Sequence, residues 1–197
     1  VDRNAITLRT SDGDAACVPA RSLRTRQEDA DGDFAYYFPA DPKSEWYEKW
    51  LHEVGGLLAV HVLRKDPSAG HGPAWTLSDF PAGYTLWFDK AGNARDEANA
   101  RFDAYLFGAP GLRKRKLFKF RSPQEFAPHA IWLMNGRRTA CWCRYCAHSS
   151  DQGAITSRLY GEEEKVKGEG ERRQATRRRV SKPVEKPIMA KDYRVFG

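Results

Sequence analysis

The chain has 197 residues, of which 41% are hydrophobic and 12% aromatic, and a formal net charge of +7; that is enough apolar material for one compact domain, or one domain with a helical extension. No run of about 18 apolar residues exists, which excludes a transmembrane helix, and the opening Val1-Asp2-Arg3-Asn4 lacks the basic flank and apolar core of a signal peptide. Four cysteines are too few for a disulfide scaffold and fit a reducing compartment; without a starting methionine, the sequence reads as part of a longer chain.

Residues 1–33 read as a poorly ordered or extended polar segment with one strand candidate at Ala5–Leu8. Phe34–Phe38 is an aromatic run expected to dock on the rest. Asp41-Pro42 predicts a helix start, with Asp41 as N-cap, Pro42 at the first helical position and Glu45 in the first turn. Trp46, Trp50, Val54, Leu57, Leu58 and Val62 then fall on one helical face. Gly55-Gly56 weakens the helix but admits another backbone closely. His52 and His61 read as partly buried packing residues of this helical extension, residues 34–66. Pro67–Pro73 is a linker or exposed loop.

Phe80–Ser122 predicts a twisted antiparallel sheet of strands at Tyr84–Phe88, Phe102–Phe107 and Leu117–Arg121. Asp89–Arg101 is a polar loop between the first two, and Gly108–Gly111 a turn. Ser122-Pro123-Gln124-Glu125 is a capping box that opens a helix. Phe126, His129, Ala130 and Leu133 share one face of it, and Pro128 is expected to bend it or shorten its start. A cysteine cluster closes this domain, residues 75–150. From Asp151 the chain is charged and poor in apolar residues until Tyr193, which predicts a disordered tail or linker over 151–197. The expected fold class is α+β: a small antiparallel twisted sheet packed on a helix, with an N-terminal helical extension and a Cys-rich zinc site.

Charge is unevenly placed. Arg101–Arg121 holds seven Lys or Arg and the single acid Asp103, and Arg172–Arg179 holds five Arg and no acid. Such patches are the electrostatic footprint of nucleic-acid binding; solvated surface charge is the other reading.

Three motifs, Phe80-Pro-Ala-Gly83-Tyr84, Phe102-Asp103-Ala104-Tyr105 and Lys119-Phe120-Arg121-Ser122 followed by Glu125, stand in an order and spacing that resembles the methyl-CpG-binding domain. A longer pattern includes Asp103-Ala-Tyr105-Leu-Phe-Gly108, then Phe120-Arg-Ser-Pro-Gln-Glu-Phe-Ala-Pro-His129-Ala-Ile-Trp-Leu133, then Cys141-Trp-Cys143-Arg-Tyr-Cys146. Over roughly residues 34–148 it is similar to the N-terminal region of the fungal cryptic loci regulator two family. That resemblance implies nuclear, heterochromatic transcriptional silencing within a nucleosome-remodelling and histone-deacetylase repressor complex.

The methyl-CpG resemblance implies double-stranded DNA as a partner. Arg121 matches an arginine that donates two bonds to guanine, Asp103 the bracing acid, and Tyr105 the tyrosine near a methyl group. Where the family's other arginine falls, this chain has Lys90 and Ala91, with Arg95 beyond, so weak preference for methylated CpG is expected. Arg113, Lys114, Arg115 and Lys116, with Arg101 and Lys119, suit phosphate contacts. The alternatives are a solvated hairpin for Arg113–Lys116 and a structural pairing of Arg121 with an acid such as Asp103. A protein-interaction scaffold that reuses the fold without touching DNA is the alternative function, since the Trp46/Trp50 helix could expose an apolar face. No membrane partner is expected.

Cys141-x-Cys143-x-x-Cys146 puts three soft ligands on one short loop, and a structural zinc ion wants four. His129, on the preceding helix and matched by a His in the resembling family, is the first choice for the fourth; His148 is second and Cys17 third. A redox pair or plain thiols are the alternatives, but no thioredoxin-type junction precedes the motif. No Gly-rich phosphate loop, His-Glu-x-x-His or nucleophile elbow occurs, so no catalytic residue is assigned and a non-enzymatic protein is expected.

Overall fold

Two glycines side by side in the first long helix separate what the sequence dictates from what packing adds. A Cβ on Gly55 would lie 2.4 Å from the Thr76 backbone, whereas one on Gly56 would meet nothing within 4 Å. Only Gly55 serves the close approach that the pair suggested. It lets helix α1 (Glu45–His61) sit against strand β3 (Trp75–Leu77). The computed structural model describes residues 4–65, 74–113, 116–147 and 151–160, with backbone alone at 112, 113 and 116. The side chains of Arg113–Lys116, His148, the whole 67–73 linker and Arg172–Arg179 lie outside the described residues. The chain divides into units 1–163 and 164–197, and every described residue belongs to the first.

Strand β1 (Asn4–Ile6) pairs in parallel with β3. The main sheet is antiparallel in the order β2 (Asp33–Pro39), β4 (Thr85–Asn93), β5 (Arg101–Phe107). A short hairpin, β6 (Leu112–Arg113) with β7 (Lys116–Leu117), comes next in the chain. Helix α2 (Pro123–Met134) and helix α3 (Gln152–Tyr160) complete the described elements. The α+β expectation therefore holds.

The third strand of the sheet is not where the sequence put it. Leu117–Arg121 breaks up after Leu117, and Phe120 makes only an isolated bridge to Leu106 through two backbone bonds of 2.9 and 3.0 Å. The aromatic run Phe34–Phe38 takes the place instead, as β2, in register from Asp33↔Asn93 to Pro39↔Trp87. Strand β4 runs on to Asn93, into the expected loop; a 3-10 segment, Ala94–Asn99, makes the rest of the connection.

Register explains the faces of the sheet, because successive side chains alternate. Leu86↔Leu106 and Phe88↔Ala104 point to one side, and Trp87↔Tyr105 and Asp89↔Asp103 to the other. The first set joins Trp50, Val54 and Leu58 of α1 and Phe126, Ala127 and Ala130 of α2 in the core. Helix α1 starts later than expected: Ser44, not Asp41, is the N-cap, its hydroxyl accepting from the Tyr47 amide, while Asp41 caps the preceding turn through the Lys43 amide. Trp46 is exposed rather than part of the buried face, and so is His52. His61 is half-buried, bonded to the Leu159 carbonyl.

Helix α2 has the expected Ser122 cap and runs unbroken through Pro128. The Glu125 carboxylate accepts from the Arg121 amide rather than from the cap residue's own N–H. The expected disorder from Asp151 does not hold over 152–160. Ile155 and Leu159, one helical turn apart, bury against α2 and turn a largely polar stretch into α3.

Candidate metal centre

One face of α2 carries Phe126, His129, Ala130 and Leu133, all buried. His129 is 1% exposed, and its two ring nitrogens look in different directions. Nδ1 faces the cysteine loop, at 3.4 Å from the Cys141 sulfur, 3.7 Å from Cys143 and 3.6 Å from Cys146. The four ligand atoms lie within 4.8 Å of one another. Nε2 faces the N-terminal segment, 3.1 Å from Asp12 Oδ1 and 2.9 Å from the Tyr84 hydroxyl. The Tyr84 hydroxyl in turn donates to Asp12 at 2.8 Å.

The loop bearing the cysteines is fixed at several points. Arg144, between Cys143 and Cys146, donates to Glu125 at 3.0 Å, and Glu125 is buried at the start of α2. Tyr145 donates to the Lys119 carbonyl and stacks on Phe118 with centroids 4.7 Å apart. The Cys146 amide points at the Cys143 sulfur, 3.4 Å away. Helix α3 closes the outside, with Arg158 over the Trp142 ring at 4.3 Å.

This arrangement crowds titratable groups together, and they perturb one another. Hydrogen bonds from the Cys141 and Cys146 thiols hold the Cys143 pKa well below the ordinary thiol value, against the burial that opposes its charge. The same neighbours, with burial, push Cys141 the other way, since sulfurs this close cannot all ionise unaided. Burial works against a charged His129, but the Asp12 bond and Cys146 outweigh it and raise the pKa to about 8. Burial likewise opposes the Asp12 carboxylate, and the bond to His129 more than offsets it, leaving Asp12 below its ordinary value. A cation among the sulfurs would let all three thiols ionise and hold Nδ1 unprotonated, as metal ligands must be. His129, Cys141, Cys143 and Cys146 can therefore hold a metal ion. Cys17 lies apart, bonded to Asp14 at 3.6 Å.

Of the residues expected to meet DNA, most of those with described side chains are engaged within the protein. Arg101 pairs with Asp103 at 2.8 Å, so the acid expected to brace Arg121 braces Arg101. Lys90 pairs with Glu97 at 2.5 Å. Lys119 lies 3.7 Å over the Tyr105 ring and donates to the Tyr37 hydroxyl at 2.9 Å; Tyr37 bonds the buried Asp89. Burial lowers the Lys119 pKa despite Asp89 nearby. Tyr105 is half-buried and Arg95 exposed on the 3-10 segment. Arg121 is exposed at the start of α2, and among the described residues no carboxylate pairs with its guanidinium. It edges an open groove of about 440 Å³ lined also by Trp46, Phe102, Lys49 and Glu53.

Sequence reasoning missed Asp12 altogether and read Tyr84 only as core. No motif surrounds Asp12, and its role exists only through contacts with residues 72 and 117 positions away.

Residues 75–146 match the model of the family described as transcription-silencing protein, cryptic loci regulator Clr2. A solved structure described as Clr2 bound to the Clr1 C-terminus shares the fold, with a TM-score of 0.52 at 22% identity; the match covers 80% of this chain and 33% of that one. This chain thus spans about a third of that one's length. No curated protein matches. The family is the one that the sequence resembles; neither comparison bears on the methyl-CpG likeness.

Proposed function

We propose, from the match of residues 75–146 to the model of the transcription-silencing Clr2 family, that this chain is a non-enzymatic, nuclear subunit of a silencing complex, built around a structural zinc ion and acting chiefly as a docking module. The donor set carries the zinc assignment. Three sulfurs and one imidazole converge from one short loop and one helix, and that set suits tetrahedral zinc better than metals preferring oxygen. Among the described residues the four donors complete a tetrahedral set, so the ion's part is to hold the fold.

Docking of a partner polypeptide is favoured over DNA by the state of the candidate cations: Arg101, Lys90 and Lys119 already have partners. The groove beside Arg121 suits a peptide that ends in a carboxylate. Trp46 and Phe102, both large, apolar and exposed, offer a wall for its apolar side chains, and Arg121 a charge-assisted anchor. A Clr1-like C-terminal segment is the occupant, by analogy with the solved complex. Through such a partner the chain would help recruit histone-deacetylase or remodelling subunits.

DNA is the second reading. It is favoured by the exposed Arg121 and by the basic stretch Arg113–Lys116 beside it in sequence, with methylation contributing little. Isothermal titration separates the two. Zinc-loaded protein is expected to bind a C-terminal peptide of a Clr1 counterpart, and Arg121→Ala or Trp46→Ala to weaken it at least tenfold. Duplex binding that falls steeply with salt, alongside no peptide binding, would reverse the order of the readings.

A further inference from the structure

We propose that Asp12 is a positioning residue for the metal centre, so that metal loading and docking of the N-terminal strap 10–14 onto the domain are one coupled event. The proposal rests on the metal reading above. It concerns a part of the chain that lies outside the family-matched segment.

The strap is seated by a slot built from glycine. Gly83 has φ +83°, and a Cβ there would lie 2.5 Å from the Gly13 backbone; a Cβ on Gly13 would lie 2.4 Å from the Ala82 carbonyl oxygen. Gly108, at φ +126°, backs the slot, 2.4 Å from the Gly83 oxygen by the same measure. Only residues without a Cβ allow these backbones to come so close. Polar bonds then fix the strap's register. Thr10 donates to the Leu133 carbonyl at 2.5 Å, Ser11 to the Ala82 carbonyl at 2.5 Å, and the Asp14 amide to the Gly108 carbonyl at 2.8 Å. Thr10 thereby reaches the last turn of the helix that carries His129.

Seated this way, the strap delivers one carboxylate to the back of the His129 ring. When Nδ1 ligates the metal, the ring proton sits on Nε2, where the acceptors are Asp12 Oδ1 and the Tyr84 oxygen. Tyr84 donates its own proton to Asp12. A carboxylate behind a ligating imidazole fixes its tautomer and orientation and raises its basicity as a ligand. The coupling is reciprocal: whatever Asp12 adds to metal affinity, the metal adds to strap docking.

The test uses the full chain with Asp12→Ala, Asp12→Asn and, as a control on the strap alone, Ser11→Ala. Zn2+ affinity is measured by competition with a chelator, and the His129 Nε2–H proton is followed by NMR in the zinc-loaded proteins. Asp12→Ala is expected to weaken zinc binding by about 10–100-fold and to speed exchange of the Nε2–H proton, which keeps only the Tyr84 oxygen as acceptor. Asp12→Asn keeps a neutral acceptor of the same shape, so it folds with the signal retained and a smaller loss of affinity. Ser11→Ala should change affinity less than either. Wild-type protein that binds no zinc overturns the metal reading and this proposal together. Equal zinc affinity in wild type, Asp12→Ala and Asp12→Asn overturns the coupling alone.

Discussion

The metal centre and the outer face of the β2-β4-β5 sheet are both clusters of charged and polar side chains that the sequence marked as functional. They differ in whether their members satisfy one another. On the sheet, Lys119 bonds Tyr37, Tyr37 bonds Asp89, and Arg101 pairs with Asp103; each donor has an acceptor and each charge a counterpart. At the candidate metal centre three sulfurs and the His129 Nδ1 converge within 4.8 Å of one another, a donor set that a bound cation would complete. A ligand belongs where the protein's own groups leave an imbalance, and mutual satisfaction marks structure.

Removing the metal makes the sharpest break in that comparison. Structural zinc supplies on the order of 10 kcal/mol of apparent folding free energy in small domains. Chelation of the zinc-loaded protein is therefore expected to abolish the cooperative thermal transition, together with the near-ultraviolet dichroism of Trp132 and Trp142 beside the site. Cys143→Ser, at a fully buried ligand, should do the same without chelator. An unchanged transition would make the cluster as self-sufficient as the sheet.

Gly83→Ala probes the support of the centre without touching a ligand. It adds left-handed backbone strain of about 1–2 kcal/mol and overpacking of about 1–3 kcal/mol against Gly13. The urea midpoint should fall by an equivalent of about 3 kcal/mol. A neutral result would mean that the strap is not seated as described.

On the sheet the expected effects shrink. Lys119→Ala leaves the Tyr37–Asp89 pair without its cation, but Lys119 is only half-buried, so about 1–2 kcal/mol is expected after discounting for solvent. Denaturant titration showing no loss would make Lys119 a solvated group, free for phosphate contact after all. Arg101→Ala breaks an exposed pair and should cost under about 1 kcal/mol. A larger cost, read from the same titration, would mean that the sheet network extends further than its hydrogen bonds indicate.

Local signals served best at α2 and the cysteine loop, and misplaced the start of α1. The Ser122 cap and Pro123 fixed the start of α2, the apolar face of that helix followed its 3.6-residue period, and the cysteine spacing named three of the four residues that could hold a metal ion. These depend on neighbours in the chain, so the order of residues contains them. The long-range pairings were not legible. Phe34–Phe38 is a nearly continuous aromatic run without clean alternation, and its partner strand lies about fifty residues away. Ile155 and Leu159 are two apolar residues in a polar stretch, too few to announce a helix until α2 offers them a surface.

The sequence by itself determined the α+β class, the helix that carries His129, the three-cysteine loop and the family resemblance, because each rests on periodicity or spacing within a short window. Tertiary structure decided the rest. It gave β2 the third place in the sheet, paired Asp103 with Arg101 instead of Arg121, turned His129 Nδ1 to the sulfurs, and brought Asp12 to the other side of that ring. Each of these is a choice among partners distant along the chain. Such choices follow from which groups can be desolvated together at least cost, and burial settles that only once the whole core has formed.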